Sequence, residues 1–200
     1  MINFKKLLVI TILGTALPAH SYTYIGSNYS LLDFQSSDAI FTNIGNTDFS
    51  DGELGVTSIG LVGGMSIVEN LSAEIRLAGG MFGSNVDYND ESDITTINVD
   101  LKYHYGAYLK YNILNKGDLS PYAVLGYTRS KAIRSRVDSD LSVGENEESE
   151  IAIKNSDISY GLGFDYALND SSSLNFEYMN YIDSGNVSIN GFSFGIKELF

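Results

Sequence analysis

Glu74, Arg76, Asp100, Lys102, His104, Lys110, Asp165 and Glu177 are the residues whose types and spacing could do chemistry together. Each stands in a run where apolar and polar residues alternate, and each falls on the polar parity. Enclosed in one lumen, they could form a selective pore or a proton relay. They could also form a packed ionic core, in which opposite charges pair to offset desolvation. The packed core is the expectation, because a small closed barrel is only wide enough for side chains to fill it. His104 could act as a general base. An enzyme acting on lipid or peptide would need a nucleophile or second acid beside it. Asp100 and Lys102 share its parity, but no serine is near in sequence and no hydrolase motif is visible. A lone histidine does not make a catalytic site, so a structural His104 and no enzymatic activity are expected.

Two acidic runs have the oxygen chemistry of calcium ligands. One holds Asp87, Asp90, Glu91 and Asp93; the other holds Asp138, Asp140, Glu145, Glu147, Glu148 and Glu150. Ser92 stands where an EF-hand loop needs glycine, so that motif is absent. A solvated, self-repelling surface is expected, with no metal and no cofactor. The chain has no cysteine, which removes disulfides, thiolate catalysis and Cys-ligated zinc together.

The elements that must position these residues are strands. From Thr95 to Ile113, one parity carries Ile97, Val99, Leu101, Tyr103, Tyr105, Ala107, Leu109, Tyr111 and Ile113. The other carries Asn98, Asp100, Lys102, His104, Gly106, Tyr108, Lys110 and Asn112. A period of two belongs to a β-strand. The run exceeds the usual globular strand of about 5–6 residues and suits a tilted membrane-spanning one of about 9–11. Seven further segments are strand-like: 22–34, 55–67, 73–82, 121–130, 158–168, 174–182 and 188–200. Within 121–130, large residues occupy both parities and no outside can be assigned. Short connections at 68–71, 114–120 and 169–172 alternate with longer ones at 35–54, 83–93 and 131–157. The last, 183–187, is short.

Residues 131–157 suggest a hairpin standing above the membrane. Pairing Lys131 with Glu150, Arg134 with Glu147 and Arg136 with Glu145 fits one register, with a tip near Asp140-Leu141. Turn chemistry favours Gly144-Glu145-Asn146 as the tip, a register that also suits the strand lengths.

Met1 to Ser21 has the parts of a secretory leader: Lys5 and Lys6, an apolar core from Leu7 to Leu17, and small residues at Ala19 and Ser21. Cleavage after Ser21 is expected, leaving residues 22–200 as one barrel domain. Losing two lysines takes the net charge from −13 to −15. With 12 Lys+Arg against 25 Asp+Glu, a nucleic-acid partner is not expected, because a binder must neutralise phosphates.

Alternation alone does not say which face points inward. The Tyr/Leu/Phe parity is too bulky to fill an eight-stave interior from every strand, whereas the Gly/Ser/Ala parity with a few long charges fits. A closed barrel also satisfies every ladder hydrogen bond and can sit in lipid. The expectation is therefore an all-β, eight-stranded, up-and-down antiparallel transmembrane barrel, with tight turns beside the termini and long loops outside. Leu101, Tyr103 and Tyr105 are expected to face lipid.

The last residues, Ser193-Phe194-Gly195-Ile196-Lys197-Glu198-Leu199-Phe200, resemble the terminal assembly signal of Gram-negative outer-membrane barrels. Ser193, Gly195 and Phe200 match it; Glu198 stands where an apolar residue is usual. TYIGSNYSLLDF, SPYAVLGYTRS and ISYGLGFDYAL are similar to the first, fifth and sixth strands of the small eight-stranded family that includes OmpX and the OmpA transmembrane domain. The resemblance implies outer-membrane residence, contact with outer-membrane lipid and lipopolysaccharide, delivery by the barrel-assembly machinery, and a monomer. For function, a structural or adhesion-like surface role through the acidic loops is expected. The alternatives are a narrow ion or small-solute pore and, after it, a lipid- or peptide-modifying membrane enzyme. Divalent ions bridging the acidic loops to lipopolysaccharide are a minor variant of the surface role.

Overall fold

The computed structural model describes residues 22–36, 54–89, 93–114, 117–140, 145–185 and 187–200. The leader expected at residues 1–21, with its cleavage after Ser21, lies outside them. Nine strands are described: β1 (Thr23–Ser36), β2 (Leu54–Val68), β3 (Leu71–Phe82), β4 (Ser84–Asn89), β5 (Asp93–Asn112), β6 (Leu119–Asp140), β7 (Glu145–Ala167), β8 (Ser172–Ser184) and β9 (Val187–Leu199). All pairings are antiparallel, and β1 pairs both β2 and β9. β3 and β4 pair successive stretches of β5 and together form one stave. The result is a closed, eight-stave, up-and-down barrel. Closure leaves no sheet edge, so every stave can cross hydrocarbon. The end strands lock at the termini: Phe200 N donates to Thr23 O at 2.8 Å.

The outer face is the apolar parity. Ile75, Leu77, Ile158, Leu162, Phe192 and their neighbours are exposed on it. Such a band on a water-soluble protein would be a liability; on a barrel it is the lipid contact. β6, whose parity left both faces open, turns Tyr122, Val124, Thr128 and Ser130 inward and Leu125 and Tyr127 outward.

Three expectations are corrected. Leu101 does not face lipid. β5 carries a bulge between Leu101 and Tyr103, where Lys102 has no partner on β6. One extra residue reverses the facing of everything beyond it. Tyr103 and Tyr105 remain outside, while Leu101, Val99 and Ile97 turn inward and are buried. Gly80 on β3 makes room at this point: a Cβ there would lie 1.8 Å from the Leu101 carbonyl oxygen. The connection at 83–93 is also largely strand, because β4 continues the third stave beyond Gly83. Finally, neither proposed register holds in the hairpin of residues 131–157. Arg136 pairs with Ser149 and Asp140 with Glu145, so the connection falls at residues 141–144. An unbroken ladder from Leu119 to Asp140 sets this register, and single charge pairs on an exposed hairpin are too weak to shift it. The expected hairpin itself is present as the upper lengths of β6 and β7.

Candidate functional site: the barrel interior

Arg76 on β3 is the centre of the lower lumen. Its Nε and Nη2 donate to Glu74 Oε2 at 2.8 and 2.5 Å. Its Nη1 and Nη2 donate to Glu177 on β8, at 2.5 and 3.0 Å. β3 and β8 lie four staves apart in either direction around the barrel. Arg76 and Glu177 therefore form a spoke across the full lumen, held by a planar fork that matches two carboxylates at once. Tyr24 OH donates to Glu74 Oε1 at 2.5 Å, and the guanidinium lies 4.7 Å from the Tyr108 ring centroid.

A second cluster sits nearer the termini. Lys110 on β5 donates to Asp165 on β7, and Lys197 on β9 donates to the same carboxylate at 3.1 Å. Lys197 also stands 3.8 Å from Glu74, joining the two clusters. Lys110 Nζ lies 4.0 Å from the Tyr122 ring centroid. Three cations, Arg76, Lys110 and Lys197, thus face three carboxylates, Glu74, Asp165 and Glu177. The balance matters because an isolated ion in such an interior would cost several kcal/mol. Below them, a vestibule of about 190 Å³ opens at the terminal end, lined in part by Tyr22, Asn112 and Asp118.

Above the spoke the lumen changes character. Tyr108 and Thr128 share a hydrogen bond at 2.6 Å, and Ser159 Oγ donates to the Tyr181 carbonyl at 2.8 Å. Beyond this polar layer, Leu32, Phe34, Val56, Leu101 and Ile189 belong to one buried apolar cluster, and β6 turns the buried Ser130 and Arg134 into the same end. The interior is thus a charged layer below and a mainly apolar one above, with Arg134 on the inner face of β6 at the upper level.

Of the eight residues singled out in the sequence, five join this network: Glu74, Arg76, Lys110, Asp165 and Glu177. Asp100 and Lys102 do not. They pair with each other at 3.5 Å, about half exposed, outside the lumen. The cause is the same bulge, which reverses the facing of β5 between Lys102 and His104. His104 is inside but apart from the carboxylates. Its Nε2 lies 3.5 Å from Ser58 Oγ, at the limit of a hydrogen bond, and its ring meets Tyr181 edge-on at 4.9 Å. Sequence distance concealed this serine, 46 residues away. Among the described residues no carboxylate bonds the imidazole, and both partners are buried, so a nucleophile–base–acid relay is not assembled. Lys197 is the member that the sequence reading left out, although its parity opposite Phe194 and Ile196 places it inside. No group of three or more metal-ligating side chains occurs among the described residues.

The assembly-signal residues lie on β9 and just past its end. Ser193 is buried inward, Gly195 lies against β1 where a Cβ would come within 2.2 Å of the Ser27 carbonyl oxygen, and Phe200 is fully outward.

A family model described as outer membrane protein beta-barrel domain matches residues 7–198. No curated protein sequence matches. Among solved structures, the fold resembles Ail, the attachment invasion locus protein of Yersinia pestis, at 13% identity and a TM-score of 0.52. That match covers 90% of this chain and 99% of the other. Neisserial surface protein A is similar at 16% identity and a TM-score of 0.51, covering 88% and 96%.

Proposed function

We propose that this chain, which belongs to the outer-membrane β-barrel domain family, is a non-catalytic structural or surface-interaction protein working through acidic extracellular loops. Outer-membrane residence follows from the family; a leader at residues 1–21, cleaved after Ser21, would deliver the chain for export. The observation that carries the reading is the interior. Among the described residues, the Arg76–Glu177 spoke crosses the lumen and a mainly apolar cluster fills it above. The charge network is then a structural device that holds the staves together. The Yersinia attachment protein shows that an eight-stave barrel can carry a surface role. Outer-membrane lipid, lipopolysaccharide and the barrel-assembly machinery, reading Ser193, Gly195 and Phe200, are the partners this reading implies, with the protein as a monomer.

Among the described residues, the part that would meet the outside is the hairpin of upper β6 and β7, with Asp138, Asp140, Glu145, Glu147, Glu148 and Glu150 along its sequence. Its charge favours a basic partner, and such attraction weakens with salt. Cells displaying the protein should be held on a polycationic surface at low ionic strength. Neutralising all six acids to Asn or Gln should cut retention several-fold. Equal retention by both forms, with both barrels folded, would reject the loops as the interacting part.

A further inference from the structure

The vestibule at the terminal end takes no part in the proposed surface role, and its charges are unevenly satisfied. Its floor is balanced. Asp165 receives Lys197 on Oδ1 at 3.1 Å and Lys110 on Oδ2, and both lysines are buried. Lys197 also stands 3.8 Å from Glu74. The rim differs. Asp118, just ahead of β6, and Asp170, in the turn between β7 and β8, line the cavity and are exposed. Among the described residues their carboxylates make no ion pair and no hydrogen bond. The lining thus sets three carboxylates, Asp118, Asp165 and Asp170, against two ammoniums.

The unmet groups are acceptors. Asn112, the last residue of β5, also lines the cavity. It is 8% exposed, and its Oδ1 is buried with no hydrogen-bond partner. A buried carbonyl oxygen is costly to leave without a donor. Tyr22 adds an aromatic wall, its ring 6.4 Å from that of Tyr24, and a ring face attracts a cation. The rim is held before any ligand arrives. Asn169 Oδ1 accepts from Ser171 N at 2.9 Å, Ser171 Oγ at 3.1 Å and Ser172 N at 2.8 Å, which fixes the turn carrying Asp170. Ala167 N donates to the Asp118 carbonyl at 2.7 Å, which ties the other rim residue to β7. Groups already in place lose little freedom on binding.

Size and chemistry narrow the ligand. A cavity of about 190 Å³ admits a solute of a few heavy atoms. An anion would meet the rim carboxylates first and find both ammoniums already paired. A divalent metal takes six or more oxygens, and no group of three metal-ligating side chains occurs among the described residues. An organic cation bearing N–H groups answers every unmet acceptor. We infer that the vestibule binds one small organic ammonium, its N–H groups on Asn112 Oδ1 and the rim carboxylates and its charge against Tyr22. Such charge-assisted hydrogen bonds are the strong ones. The tight-turn end of an outer-membrane barrel faces the periplasm, so the ligand comes from that side. The spoke of Arg76 and Glu177 stands above the site, so the ligand enters and leaves by one mouth. The acidic hairpin lies at the other end of the barrel, and the site is independent of what it binds.

The test titrates n-propylammonium into the refolded full barrel in detergent micelles and follows backbone amides by NMR. The shifts should saturate and centre on Asn112, Asp118 and Ser171. n-Propanol, which lacks the charge, and tetramethylammonium, which lacks N–H donors, should give no saturable shift at equal concentration. Asp118→Asn with Asp170→Asn, both at exposed positions, should weaken binding roughly tenfold, and Asn112→Leu should do the same. Heat-shifted electrophoretic mobility confirms that each variant is folded. Nα-acetyl-lysine amide distinguishes the source. Binding as tight as that of propylammonium assigns the ammonium to a peptide side chain, and weaker binding assigns it to a free amine. Absence of saturable shifts from propylammonium overturns the proposal, as does an unchanged titration in the double variant. Equal shifts from tetramethylammonium also overturn it, because they would mean unspecific attraction to the rim.

Discussion

Replacing Arg76 with Met should be the most damaging change on the interior, costing about 3–5 kcal/mol, the cost of removing one partner from a buried ion pair. Glu74 and Glu177 would both lose the guanidinium that holds them at 2.5 Å. Lys197, 3.8 Å from Glu74, compensates only one of them. Reversible unfolding in lipid vesicles, with denaturant, measures the loss. The triple variant Glu74→Gln, Arg76→Met, Glu177→Gln removes the charges together and should recover most of it, because an uncharged interior needs no counter-ions. A loss below about 1 kcal/mol in Arg76→Met, in the range of an exposed pair, would mean that the spoke is not desolvated.

Leu162→Arg should cost about 2–4 kcal/mol, the penalty for a cation on the lipid face near the midplane. Leu162 is 65% exposed and lies mid-row between Ile158 and Tyr166 on β7. Ser156→Arg, on the same face but above the apolar band, should cost about 0–1 kcal/mol, because the penalty falls towards the interface. The difference between the two sites measures where hydrocarbon ends on β7. Equal costs would place the band elsewhere.

The lower half of the barrel was legible because parity there runs unbroken. Along β7, Ile158 to Leu168 alternates with Ser159, Gly161, Gly163 and Asp165, and lipid and lumen sort accordingly. Parity failed above Lys102. A bulge adds one residue to β5, and an apolar residue looks the same whether it meets lipid or a lid. Parity therefore does not mark Leu32, Phe34 and Val56 as lumen fill, and it puts Leu101 on the lipid side. Charges could be assigned to the inside but not to partners. Arg76 and Glu177 are 101 residues apart, and only barrel closure sets them opposite each other. Ser58 beside His104 has the same origin. The hairpin was visible as a charged, strand-compatible stretch. Its register was not, because register propagates up the ladder from Leu119 rather than from the tip.

A charged spoke beneath a mainly apolar upper layer closes the lumen. Planar bilayer recording on the purified, unmutated protein tests it most directly. The mutually paired charges around Arg76 and a mainly apolar upper layer leave little width for hydrated ions. No steady single-channel steps are expected at any polarity. A reproducible unitary conductance from the unmutated barrel would contradict it and make the protein a pore.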